Sequence, residues 1–126
     1  SEIPTEIGNL INLKYLFLGA TYQGGYGGHG FTEIPLCIFE LKNLVFLNMS
    51  AGELKTINPK IGNLKLLETL VLSNNQLTQL PDEIYELPNL VYLDLSGNLF
   101  TEEMQETIQS KFDDRVELVF VEEVGD

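Results

Sequence analysis

Catalysis starts from side chains that can attack, move a proton or hold a metal, and this 126-residue chain offers few of them. It has one histidine, His29, and one cysteine, Cys37. Neither stands in a serine, histidine and acid arrangement that would make a nucleophile with its base, and one histidine with one cysteine cannot close a zinc site. A lone cysteine also makes no internal disulfide. No catalytic residue, metal or cofactor is therefore assigned, and the chain is not expected to be an enzyme. Two other series have a spacing that suits recognition. The first is Tyr15, Phe46, Thr69 and Tyr92, and the second, two residues further on, is Phe17, Asn48, Val71 and Asp94. Exposed rings offer a binding partner a large contact area at low entropic cost, and Asn48 and Asp94 would add polar specificity. The competing reading is that neighbouring rings cover one another and merely stabilise the surface.

These residues recur because the chain repeats. Leu41-x-x-Leu44-x-x-Leu47-x-Met49 is followed at intervals of 23 residues by the same pattern from Leu64 and from Leu87, and a fourth copy starts 31 residues earlier at Leu10. Ile3-Pro4, Ile34-Pro35, Ile57-Asn58 and Leu80-Pro81 mark the other half of each unit, and Ile7-Gly8-Asn9-Leu10 returns verbatim as Ile61-Gly62-Asn63-Leu64. A Leu-x-Leu alternation predicts a short strand with its leucines on one face, and the spaced Ile and Leu predict an inward row on the far side. One unit cannot bury both rows, so the units must stack into a continuous core with a parallel sheet. In-register strands about 4.8 Å apart would turn the two series into columns on the open face of that sheet.

The segments from Leu67 to Leu77 and from Leu90 to Phe100 resemble the L-x-x-L-x-L-x-x-N-x-L consensus of leucine-rich repeats, of a 23-residue kind found in bacterial members. The resemblance covers about residues 2 to 100. It implies an α/β solenoid, with a curved parallel sheet on the concave face and short turns or 3₁₀ or α segments on the convex face. It also implies a protein or peptide ligand and no cofactor. Bacterial members are often secreted or surface-exposed, although the scarcity of cysteine fits a cytosolic home as well. Two copies depart from the consensus: its asparagine is Thr21 in the first and Gly52 in the second, so the N-terminal half is expected to be less firmly laddered.

Residues 1–100 are thus read as four repeats with a glycine-rich insertion at 22–30, and residues 101–126 as a C-terminal helix, strand and acidic tail. The insertion carries Tyr22, Tyr26 and His29, which could fold over a ligand at the edge of the concave face; a tolerated insertion is the alternative. It lacks the Gly-Lys-Ser/Thr ending of a phosphate loop. Thr101 suits a helix N-cap, Phe100, Met104, Ile108 and Phe112 share one face, and Val116, Leu118 and Phe120 alternate as a last strand. On the convex side Leu36 and Cys37 are expected to face solvent. Asn48-Met49-Ser50 matches a glycosylation acceptor, but it falls within a strand.

Nineteen acids against seven bases leave a net charge of −12, which disfavours nucleic acid and anionic membranes as partners. No apolar run approaches the roughly 18 residues of a membrane span. Most of the acidity belongs to residues 101–126, with nine acids against Lys111 and Arg115. The concave columns are expected to be aromatic and nearly neutral, with no strongly basic ligand implied. The first repeat leaves an apolar edge that a further upstream repeat, a partner or a second copy of the chain would cover. Two other readings stay open. One is carbohydrate binding, with the rings as a platform for sugars; the other is a structural C-terminal portion of a longer array.

Overall fold

The computed structural model describes residues 5–19 and 30–121. Within them the chain passes four times from a 3₁₀ segment to a three-residue strand. The 3₁₀ segments are Thr5–Asn9, Leu36–Glu40, Pro59–Asn63 and Asp82–Glu86, and the strands are β1 (Tyr15–Phe17), β2 (Phe46–Asn48), β3 (Thr69–Val71) and β4 (Tyr92–Asp94). Helix α1 (Glu102–Lys111) and strand β5 (Glu117–Val119) follow. All five strands pair in parallel, in chain order, so each connection must cross the far side of the molecule before the next strand begins. This is the solenoid of a leucine-rich repeat.

Local chemistry sets each turn. Proline fixes the entry to three of the 3₁₀ segments, at Pro35, Pro59 and Pro81, where a preset φ and a missing N–H do no harm. Asn58 adds a cap by accepting from the Lys60 N–H at 2.8 Å. Each segment then closes on its inward isoleucine, whose carbonyl accepts from Leu41, Leu64 or Leu87. Ile38, Ile61 and Ile84 are fully buried. The glycine of Ile7-Gly8 sits in a tight spot: a Cβ there would stand 2.8 Å from the movable end of the Glu40 side chain and 3.3 Å from the Cys37 carbonyl, so both neighbours would have to give way.

Between the 3₁₀ row and the sheet lies one core. Leu44, Leu47, Leu67, Leu70, Leu90 and Leu93 expose no surface, and burying each such side chain is worth about 2 kcal/mol. The first unit differs. Leu13, Leu16 and Leu18 are only half-buried, and Leu10 and Ile11 are exposed.

Asparagine ties the turns together where it is present. The Asn75 amide donates to the carbonyls of Met49 and Leu72 at 3.0 Å, and its oxygen accepts from Gly52 and Leu54 at 3.1 Å. Asn98 donates to Leu72 and Leu95 and accepts from Leu77. Gly52, which occupies the asparagine position of the second unit, is itself one of the groups Asn75 serves.

Helix α1 closes over the fourth unit. Thr101 caps it by accepting from the Met104 N–H at 3.0 Å, with Glu102 and Glu103 at its positive end. Its inner face holds buried Ile108 with half-buried Met104 and Phe112. The Phe112 ring lies 5.0 Å from Tyr85, and Phe100 meets Phe120 edge-on at 6.1 Å. Strand β5 then pairs with β4, which sets Leu118 beside Leu93.

Candidate binding face of the sheet

Side chains alternate across a strand, so burial of the central leucines turns their neighbours to the opposite face. The register places Tyr15, Phe46, Thr69 and Tyr92 side by side, and Phe17, Asn48, Val71 and Asp94 beside one another. Strand β5 lengthens both rows, adding Glu117 to the first and Val119 to the second. Tyr15 is 69% exposed and Phe17 57%. Phe46, Thr69, Val71, Tyr92 and Asp94 are half-buried. Tyr15 and Phe46 form no ring pair among the described residues, so these rings do not cover one another.

Asn48 is turned to a different task. It is only 9% exposed, and its side-chain oxygen accepts from the Ser50 N–H at 2.9 Å, which commits the amide to the turn after β2. Asp94 holds the matching turn after β4, accepting from the Ser96 N–H at 3.0 Å and the Ser96 hydroxyl at 2.7 Å through one oxygen. Val71, between them, can accept nothing.

The sheet ends in an open groove of about 840 Å³ between β4, β5 and α1. Tyr92, Asp94 and Glu117 line it from the sheet, Ser73 from the turn after β3, and Gln105 and Gln109 from one side of the helix. The sequence reading did not single out Glu117, Gln105 or Gln109. The available signals were the alternation that turns Glu117 opposite to Leu118, and the four-residue spacing of the two glutamines.

Tyr22, Tyr26 and His29 lie outside the described residues, as does the acidic end of the chain. On the 3₁₀ side Leu36 is exposed and Cys37 half-buried. Among the described residues no three of His, Cys, Asp and Glu are grouped to hold a metal.

The family model described as leucine rich repeat matches residues 42–100. A solved LRR protein of Leptospira interrogans superposes with a TM-score of 0.75 at 36% identity, over 94% of this chain and 34% of that one. This chain is a leucine-rich-repeat protein. The leucine-rich-repeat fold is shared at greater distance by an internalin of Listeria monocytogenes, with a TM-score of 0.66 at 18% identity over 93% of this chain and 30% of that one. A plant peptide hormone receptor in complex with RGF2 gives 0.68 at 28% identity, over 97% of this chain and 19% of the receptor. The chain thus spans about a third or less of each of these proteins. No curated protein sequence matches it.

Proposed function

We propose that this leucine-rich-repeat chain is a non-catalytic recognition module that binds a protein or peptide along the open, concave face of its sheet. The observation that carries the reading is the pair Tyr15 and Phe17, two large rings on one ordered strand, each more than half exposed. Ordered backbone and two-torsion rings leave little entropy to lose on binding, and exposed apolar surface of this kind gains from being covered. Phe46 and Tyr92 extend the surface in the first row, Thr69 and Val71 fill the middle, and Asp94 supplies charge at the far end. The plant receptor similar to this chain is a peptide hormone receptor seen with RGF2, which is consistent with a peptide ligand here.

Selection of a random peptide library displayed on phage tests the proposal. The wild-type chain should enrich binders that the Tyr15→Ala/Phe46→Ala/Tyr92→Ala variant fails to capture, while its thermal transition moves by less than about 5 °C. Undiminished capture by the variant contradicts the assignment. Retention on a glycan array with no peptide enriched would transfer the face to sugars.

A further inference from the structure

We propose that the 3₁₀ side of the chain carries a second docking site, a groove between Leu36–Glu40 and Pro59–Asn63 that receives an apolar side chain flanked by acidic residues of a protein or peptide partner. This goes beyond the recognition reading, which concerns the opposite side of the core, and it stands or falls separately.

One position of each 3₁₀ segment creates the groove. Gly8, Phe39, Gly62 and Tyr85 occupy equivalent places in the four units. That position faces the following unit: a Cβ on Gly8 would meet Cys37 and Glu40, and one on Gly62 would meet Glu83. Glycine lets neighbouring segments come close, whereas a ring takes up the space between them. Accordingly Thr5–Asn9 packs closely on Leu36–Glu40, and Pro59–Asn63 on Asp82–Glu86, while Leu36–Glu40 and Pro59–Asn63 are less closely packed on one another.

The two ring positions have different neighbours. Beside Tyr85 the space is filled from the end of α1: the Phe112 ring lies 5.0 Å away, and Lys111 crosses the Tyr85 ring to stand 3.8 Å from Asp82. The fold itself thus shows what such a space accepts, an apolar ring with a charged neighbour. Beside Phe39 the facing segment, Pro59–Asn63, has no aromatic residue to do the same. An open groove of about 560 Å³ is left there, lined by Leu36, Cys37, Lys42, Lys60 and Asn63 among others.

The chemistry of the lining inverts that of the fourth unit. Leu36 stands where Asp82 does, and it is 58% exposed, so the groove offers apolar surface that gains from being covered. Lys42 and Lys60 line the groove, and neither forms an ion pair among the described residues. The one acid of the lining, Glu40, extends toward Gly8 on the side of the first unit. The groove is therefore locally basic on a chain whose net charge is −12. A carboxylate beside the guest's apolar chain gains from both ammonium groups, a neutral guest leaves them unpaired, and a basic one is opposed. Where α1 brings a ring and a cation to Asp82, the partner brings an apolar chain and an acid to Leu36, Lys42 and Lys60.

The test is an NMR titration of the full chain, labelled with nitrogen-15, by acetyl-Glu-Leu-Glu-amide and by acetyl-Gln-Leu-Gln-amide, its neutral isostere. The acidic peptide should give saturable shifts centred on Leu36, Cys37, Lys60 and Asn63, with the neutral peptide at least about fivefold weaker. Lys60→Glu and Leu36→Asp should each weaken the acidic peptide by about threefold or more. Both introduce residue types that other units carry at the same places, Glu6 and Glu83 for the first and Asp82 for the second, so the fold tolerates them. Tyr15→Ala/Phe46→Ala should leave this titration unchanged, which separates failure of the groove from failure of the concave face. Equal affinity for both peptides, no saturable shift, or shifts confined to the strands would overturn the proposal.

Discussion

Arg115 donates from Nη1 to the Pro88 carbonyl at 2.9 Å, and in doing so takes the place of an asparagine. In the second and fourth units the corner residue is Asn43 or Asn89, whose amide donates to a carbonyl of the unit before: Ile11 at 2.6 Å and Lys65 at 2.8 Å. Pro88 is the next carbonyl in that series, and the segment after α1 supplies a guanidinium at the place of the corner asparagine. The series has one gap. The third unit carries exposed Leu66 at the corner, opposite the Lys42 carbonyl, and a leucine has nothing to donate.

Leu66→Asn should therefore restore the missing bond and raise stability by about 0.5–1 kcal/mol, while Arg115→Met should lower it by about 1 kcal/mol. Urea unfolding measures both. A destabilised Leu66→Asn would show that the corner bonds are incidental to the stack.

The inner ladder should matter more. Removing the Asn75 side chain strips partners from the N–H groups of Gly52 and Leu54 and the carbonyl of Met49 at once. Asn75→Ala should cost at least about 3 kcal/mol, and Asn98→Ala, at a half-buried site with one N–H to serve, roughly half as much. Equal losses would mean that burial does not set the cost.

One backbone position takes the same left-handed conformation in three units. Ala51, Asn74 and Gly97 stand at matching places with φ of 57°, 59° and 69°, a left-handed conformation that suits glycine and tolerates asparagine. Ala51→Gly should thus stabilise the chain by about 0.5–1 kcal/mol, against the usual direction of that change. Gly97→Ala should cost about 1–2 kcal/mol from φ alone, and more because the new Cβ would collide with the Asn74 side chain. Thermal melts of the two variants check the opposite signs.

The stack was legible in the sequence because leucine spacing is a direct record of which residues turn inward. Spacing alone puts Leu47, Leu70 and Leu93 in one row, and the register follows from equal repeat length. The behaviour of polar residues beside them was less legible. Asn48 and Asp94 occupy equivalent positions and look alike as binding residues, yet each is drawn into its own turn by the serine two residues later. The spacing of a polar residue says which face it starts on; its hydrogen-bond partner decides where it ends. Glu117 escapes the pattern for a different reason. It belongs to a strand outside the period, and only the pairing of β5 with β4 brings it onto the open face of the sheet.

A pH experiment probes the junction between α1 and the fourth unit. Burial, followed by the nearby Asp82 carboxylate, raises the Tyr85 phenol above its ordinary value of 10.0. The folded state therefore holds this proton more tightly than the unfolded chain. Its contribution is fully present below about pH 10 and is lost as pH rises through the raised folded value. Tyr85→Phe keeps the ring against Phe112 and should show a smaller loss of stability between pH 9 and 11 than the wild type, with urea midpoints as the readout. Parallel losses would place the alkaline sensitivity elsewhere.

The recognition reading is tested most directly by locating a bound peptide. A peptide selected on the wild-type chain and carrying a nitroxide should broaden the amide signals of Tyr15, Phe17, Phe46, Thr69, Tyr92 and Asp94. It should spare those of the 3₁₀ segments Leu36–Glu40, Pro59–Asn63 and Asp82–Glu86 on the other side of the core. Broadening centred on the 3₁₀ segments, with the strand signals intact, would contradict the concave-face account.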